Sequence, residues 1–265
     1  MKAFTKTMTS PSISVQLWSV KDELKADFHG TLTALANMGF EGVEFAGDFG
    51  PYASNPQQLH TLLSSLGLQA SSAHVGFDQL SSETINSTLH FYKTLGVTSL
   101  YIPWDERAWD KDKIDEFITQ LNAVHKTAQQ LDMEIGFHNH DKEFLQFGDT
   151  TYWQHIADNT TASVPLQLDI GWVHYAKQNA IKLIKAYPKR TRSAHLKIVA
   201  KDNSLSPILG DNGFAWENII TSLRNDGHTQ WLVVEQEQYP QGMSALQSVD
   251  ASKRALDRIL FLSTK

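Results

Sequence analysis

Residues 37–47 read NMGFEGVEFAG, and the same grammar returns at 65–75 (SLGLQASSAHV), 94–104 (TLGVTSLYIPW) and 225–237 (NDGHTQWLVVEQE). Each stretch runs from the end of an apolar-periodic segment, through a glycine suited to the left-handed turn that closes a helix, into a β-rich run. Gly39, Gly67 and Gly96 stand about 28 to 29 residues apart, the length of one strand plus one helix. Working outward, strands are predicted near 13–18, 42–47, 69–75, 98–104, 134–140, 164–170, 192–198 and 230–236. Helices are predicted near 22–38, 56–66, 82–95, 112–131, 152–158, 176–187, 215–226 and 244–262, with Asn55 and Pro56 as N-cap and first turn of the second. Eight strands alternating with helices imply an α/β fold, a parallel sheet closed into a single (β/α)8 TIM barrel. A doubly wound sheet would want a glycine-rich phosphate turn after its first strand, and SVQLWSVKDE at 14–23 has no glycine.

The length agrees. A barrel of this kind takes about 250 residues, and the chain has 265, with no linker, low-complexity run or charge block. One domain over 1–265 is expected, with 1–12 as a short N-terminal extension. Lys and Arg number 23 against 29 Asp and Glu, a formal charge of −6, which disfavours a grip on nucleic acid that needs many phosphate-facing cations. There is no cysteine, so disulfides, thiolate nucleophiles and cysteine-bound zinc are excluded. The start MKAFTKTMTSPS lacks an apolar signal core, and no segment reaches the roughly 18 apolar residues of a membrane span. A cytoplasmic protein with neither membrane nor nucleic acid as partner is expected.

Period-two alternation sorts each strand into a face toward the helices and a face toward the barrel axis. In EIGFHNHD at 134–141, Ile135 and Phe137 go outward, leaving Gly136, His138 and His140 inward. The same rule turns Gln167 and Asp169, His195 and Lys197, and Val233, Glu235 and Glu237 toward the axis, and in the first half Gln16, Trp18, Glu44 and His74. These polar residues gather near the C-terminal strand ends, where such barrels keep their chemistry, and the longest loops there are 105–111, 141–151 and 199–214. Buried unpaired charges are costly. A divalent cation would offset that cost, and Asp, Glu and His from adjacent strands suit Mn, Co, Zn, Fe or Mg.

A single barrel histidine is more often a packing residue than a ligand, but polar groups at equivalent depth on four consecutive strands point the other way. His29, His60, His90, His125, His155 and His228 fall in helices or αβ loops and read as surface or packing residues. His174 is undecided. Trp18, Tyr101, Trp104 and Trp172 lie near strand ends; Trp18 and Trp172 are candidates for stacking on the C–H face of a sugar, beside the ordinary core and rim role of tryptophan.

Taken together and in order, SVQLWSV, GVEFAG, HNHDKEF, LDIGWV, HLK and VVEQE resemble the xylose isomerase-like barrels, and within them the sugar phosphate isomerase/epimerase group. The resemblance covers nearly the whole chain. It implies metal-dependent isomerisation or epimerisation of sugars, keto-sugars or inososes through an enediolate, a small carbohydrate as partner, and association into homo-oligomers. It also implies one divalent metal held by His138, Asp169, His195 and Glu235. The chain departs from the pattern at His138, where many relatives carry Glu, at Ile198 after HLK, where Asp is common, and at Trp172, where some have His. The His138 departure removes one of the two glutamates that exchange protons on opposite faces of the substrate.

Glu235 is the first candidate for the base. His140, His74, Glu44, Lys197 or Glu237 is left to take the other role, with Lys197 also a candidate for steadying an enolate oxygen. Gln16, Trp18, Glu44, Trp172 and Glu237 are the expected substrate contacts, and His138 and His140 remain exchangeable as ligand. No arginine-rich phosphate clamp lies on the inward strand ends, which favours a non-phosphorylated sugar. Two alternatives stand beside this reading: a lyase, dehydratase or hydrolase-like enzyme acting on a 3-keto-glycoside or inosose, and a barrel that binds sugar and metal without turnover. The DNA-cleaving apurinic endonuclease branch is disfavoured by the charge and by the lack of a Lys/Arg-rich loop.

Overall fold

The computed structural model describes residues 10–198, 208–210 and 214–262. Eight parallel strands close on themselves: β1 (Ser12–Gln16), β2 (Gly42–Phe45), β3 (Gln69–His74), β4 (Ser99–Ile102), β5 (Glu134–His138), β6 (Leu166–Asp169), β7 (Ser193–Leu196) and β8 (Trp231–Val234). Each pairs with its successor, and β8 returns to β1 with Ser12 opposite Trp231 and Val15 opposite Val234. Around them lie α1 (Lys21–Ala26), α2 (Phe28–Asn37), α3 (Pro56–Ser65), α4 (Ile85–Leu95), α5 (Ile114–Gln129), α6 (Tyr152–Asn159), α7 (Ile170–Tyr175), α8 (Ala180–Ala186), α9 (Trp216–Ser222) and α10 (Ala245–Leu262). A two-residue hairpin, 146–147 with 150–151, decorates the loop after β5.

The apolar core fills the layer between strands and helices. Phe137 of β5 packs on Phe117 of α5 and Trp153 of α6, with ring centroids 4.9 and 6.2 Å apart. Leu32, Leu59, Leu121, Ile156 and Ile184 close the same layer from the helix side, all without exposure. Fully burying each such side chain contributes about 1.5–3 kcal/mol. Polar residues gather inside the barrel, with Ser14, Gln16, Glu44, Ser72, Gln167 and His195 all buried.

The closing turns follow the expected chemistry at Gly39, Gly67 and Gly96, whose φ values are 84°, 73° and 94°. In the fourth copy the left-handed residue is His228 (φ 54°) rather than Gly227, because α9 ends in a π turn over 223–227 that delays the reversal by one residue. Three expected boundaries are corrected. The first helix is two, broken at Asp27, which leaves helical geometry to cap α2 through Gly30 N at 2.9 Å. The first strand stops at Gln16, so Trp18 sits in a 3-10 turn, 17–20. A short helix, α7, follows β6 at once because Asp169 caps it. The stretch 1–9 of the expected extension and 199–207 and 211–213 of the long loop lie outside the described residues.

Candidate metal centre

Strand register sets the depth of each polar side chain. Gln16 lies opposite Glu44, Glu44 opposite Ser72, and Asp169 opposite His195. Four residues thereby converge at the C-terminal mouth: donor atoms of His138, Asp169, His195 and Glu235 all lie within 4.8 Å of one another, and all four side chains are buried. Asp169 Oδ1 accepts from Trp172 N at 2.9 Å, while Oδ2 is buried without a hydrogen-bond partner. Its nearest cation is Lys197 Nζ, 3.9 Å away. A buried carboxylate oxygen left unpaired costs about 1–3 kcal/mol or more. Two imidazoles and two carboxylates form a donor set suited to a divalent first-row ion, which would engage that free oxygen. The residues present therefore fit a metal.

A second layer of side chains fixes how the imidazoles point. Glu44 is fully buried; its Oε1 accepts from Gln16 Nε2 at 2.7 Å and His195 Nε2 at 2.5 Å, and its Oε2 accepts from Ser72 Oγ and from Gln167 Nε2 at 2.6 Å. Gln167 Oε1 in turn accepts from His74 Nε2 at 2.8 Å and His138 Nδ1 at 3.0 Å. Since the amide oxygen accepts, His138 carries its proton on Nδ1, and Nε2 is left with a lone pair. His195 gives Nε2–H to Glu44, which turns Nδ1 toward Glu235 Oε2 at 2.8 Å. Second partners of this kind orient metal-binding histidines and raise their basicity. Asn139 Oδ1 accepts from Asp169 N at 3.0 Å and ties β5 to β6.

The charges respond to this crowding. Burial alone would depress the His195 imidazole, but Glu44 and Glu235 on either side push it up to about 10. Burial works against the Glu44 charge too, yet His195 and His74 hold its carboxyl down to about 2. Glu235 is likewise kept well below the usual carboxylate range, by Lys197 and His195 against the effect of burial. Asp169 goes the other way: burial raises it to about 6 in spite of Lys197. Burial, aided by Lys197, lowers His140 to about 3, and burial followed by His195 and His74 lowers His138 well below its ordinary value.

Above the group opens a cavity of about 450 Å3, lined by Gln16, Trp18, His74, Trp104, His138, His140, Glu235 and Glu237 among others. Two expected substrate contacts do not line it. Glu44 is spent beneath His195, all its hydrogen bonds going to protein groups, so it supports the floor rather than meeting a ligand. Trp172 packs to one side, against His140 (5.6 Å), Tyr175 (5.4 Å) and Lys197 Nζ (5.0 Å). Lys197 also lies behind the wall: its Nζ donates to Glu235 Oε2 at 3.3 Å and pairs with Glu237 Oε2 at 3.2 Å. It is placed to act on those carboxylates, not directly on an enolate oxygen.

Of the two exchangeable histidines, His138 is the one in the four-residue group, whereas His140 Nδ1 is buried without a hydrogen-bond partner and its ring stands edge-on to Trp104 and His138 at 5.1 Å each. His74 stacks on His195 at 5.3 Å and forms a second possible donor set with His138 and His195. His174 packs on Phe214 away from the cavity. Alternation places Gln167 inward but does not reveal its role; a neutral amide two residues before Asp169 on the same strand face is the available signal. Glu143 was missed outright. It is fully buried, accepts from His140 N at 2.9 Å and is raised by burial to about 7. It sits in an irregular loop where no periodicity marks a side chain as inward.

Comparison with known proteins agrees with the barrel fold. The chain is 27% identical over 153 residues to an inosose dehydratase of Bacillus cereus (strain AH820), a match covering 51% of this chain and 49% of that protein. The chain thus spans about half the length of the curated relatives it matches. In fold it is similar to a sugar phosphate isomerase/epimerase from Parabacteroides distasonis ATCC 8503, with a TM-score of 0.76, 23% identity and 96% of each chain covered. An L-ribulose 3-epimerase superposes with a TM-score of 0.71 at 13% identity, again over 96% of each chain. The family model of the xylose isomerase-like TIM barrels matches residues 32–259, and the chain belongs to that family.

Proposed function

We propose that this protein is a divalent-metal-dependent isomerase or epimerase of a neutral sugar or keto-sugar, working through an enediolate. The observation that carries the reading is the convergence of His138, Asp169, His195 and Glu235, with Asp169 Oδ2 unpaired, beside a cavity large enough for a sugar. Those four residues would hold the ion. When bound, a divalent ion acidifies the C–H bond next to a chelated carbonyl by drawing charge onto oxygen.

Glu235 belongs to the ligand group and also lines the cavity, so it is placed to take that proton. His140 faces the same cavity from just after β5 and serves as the proton carrier on the other side, while Gln16 and Glu237 bind hydroxyls. Return of the proton to the other face gives an epimer, and return to the neighbouring carbon gives an isomer. The match to an inosose dehydratase favours a second outcome from the same enediolate: loss of hydroxide from the next carbon, which with one proton leaves as water.

Incubating the metal-loaded protein with neutral sugars, keto-sugars and inososes in deuterium oxide tests this. Solvent deuterium should enter the carbon beside the carbonyl, with NMR of the product separating isomer, epimer and dehydrated compound. Binding of the same compounds without any exchange would overturn the enzyme reading in favour of a binding barrel.

A further inference from the structure

The metal group occupies one side of the mouth, on β5 to β8, yet the cavity continues to the other side, where its chemistry changes. There its walls are Trp18, after β1, and Trp104, after β4, which are 46% and 47% exposed and so present bare aromatic surface at the rim. Between them the ends of β2 and β3 contribute Ala46, Gly47 and Gly76, with Gln79 beyond. Nothing lies within 4 Å of where a Gly47 Cβ would stand, so the floor of this trough is open. Both tryptophans are braced: Lys21 Nζ lies 4.0 Å from the Trp18 ring centroid, and Trp104 has Trp109 at 4.7 Å, His140 at 5.1 Å and Lys142 Nζ at 5.2 Å from its ring centroid.

A single pyranose or cyclohexane ring fills roughly 150–200 Å3 at the packing density of organic solids, a third to under a half of the roughly 450 Å3 available. The polar half can hold that ring against Glu235, His138 and His140. Among the described residues, none that lines the remaining half is a lysine or arginine, and the two indole rings beside it, each with a lysine ammonium already over it, make a setting for a second, uncharged ring.

Resting on the sugar-enzyme reading above, we infer that the substrate is a two-ring compound, a neutral keto-glycoside whose carbonyl-bearing, reacting ring sits at the metal group and whose second ring, sugar or aryl, lies between Trp18 and Trp104. Continuity of the trough with the reacting half fixes the occupant as part of one molecule rather than a separate ligand.

Calorimetric titration of the metal-loaded protein with phenyl β-D-glucoside and methyl β-D-glucoside tests the second site. The phenyl compound should bind at least about fivefold tighter, the gain expected of one aromatic contact. That ratio should fall to within about twofold of unity in Trp18→Ala and in Trp104→Ala, and return in Trp104→Phe. Equal affinities in the wild type, including no binding of either, overturn the inference, as does a ratio untouched by both alanine variants. Asp169→Ala separates this from the wider reading. If it weakens both glucosides and keeps their ratio, both stand; if it changes neither affinity, the second-ring site survives and the metal reading fails.

Discussion

Glu44 carries a negative charge with no exposure to water, and every hydrogen bond it makes goes to another side chain. Its service is to His195: with Nε2–H held, Nδ1 is aimed at the metal group. Glu44→Gln keeps the shape and removes the charge, so metal affinity should fall about 10–100-fold, the usual cost of losing a second partner, measured by competition with a chelating dye. Lys197→Ala should leave metal bound and lower turnover at least about tenfold, because Lys197 supplies no ligand atom to the group but pairs with the cavity-lining carboxylates of Glu235 and Glu237. A third residue acts on stability.

His125, in α5, is buried with Nδ1 at 2.9 Å from Ile135 O and Nε2 at 3.0 Å from Ser163 Oγ, and burial lowers its pKa. The folded state therefore prefers the neutral ring. Its contribution is complete above the unfolded value of about 6.5 and is lost as pH falls through that value toward the folded one. Thermal melts from pH 7.5 to 5 should show a steeper fall for the wild type than for His125→Gln, which cannot take up the proton.

At the scale of elements, β5 and β6 approach so closely that Gly136 has no alternative. A Cβ there would stand 2.1 Å from Pro165 O and 2.8 Å from Pro165 Cγ, the first of which is backbone and cannot yield. Gly136→Ala should cost about 1–3 kcal/mol or more by overpacking, read as a lower urea midpoint, and should loosen His138 two residues on. Asp27→Ala, removing the cap that divides the first helical segment, should cost about 1 kcal/mol. Elements were also where the sequence was most legible. Alternation in PLQLDIG and SAHLKIV set Asp169 and His195 on the axis, and the glycine turns set the repeat. The split at Asp27, the short helix capped by Asp169 and the π turn before His228 escaped, because each depends on one side chain or one residue of slippage that a periodic signal averages away.

For the whole molecule, strand order and closure were legible from the repeat alone, since eight strand and helix units admit few parallel arrangements. The convergence of His138, Asp169, His195 and Glu235 was legible too, because alternation and position at a strand end fix direction and height together. Depth was not. Alternation cannot tell Glu44 and Lys197, buried behind or beneath the site, from Glu237 and His140, which border the cavity. That distinction rests on which partners fill the barrel interior, and Gln167, Ser72 and Ser193 do so from distant parts of the chain.

Elemental analysis of the purified, metal-replete protein beside Asp169→Ala and His195→Ala tests the account at its centre. About one tightly held divalent ion per chain, sharply reduced in both variants, is expected. No ion in the wild type, or full retention in both variants, would contradict it and leave the four converging residues held by hydrogen bonds alone.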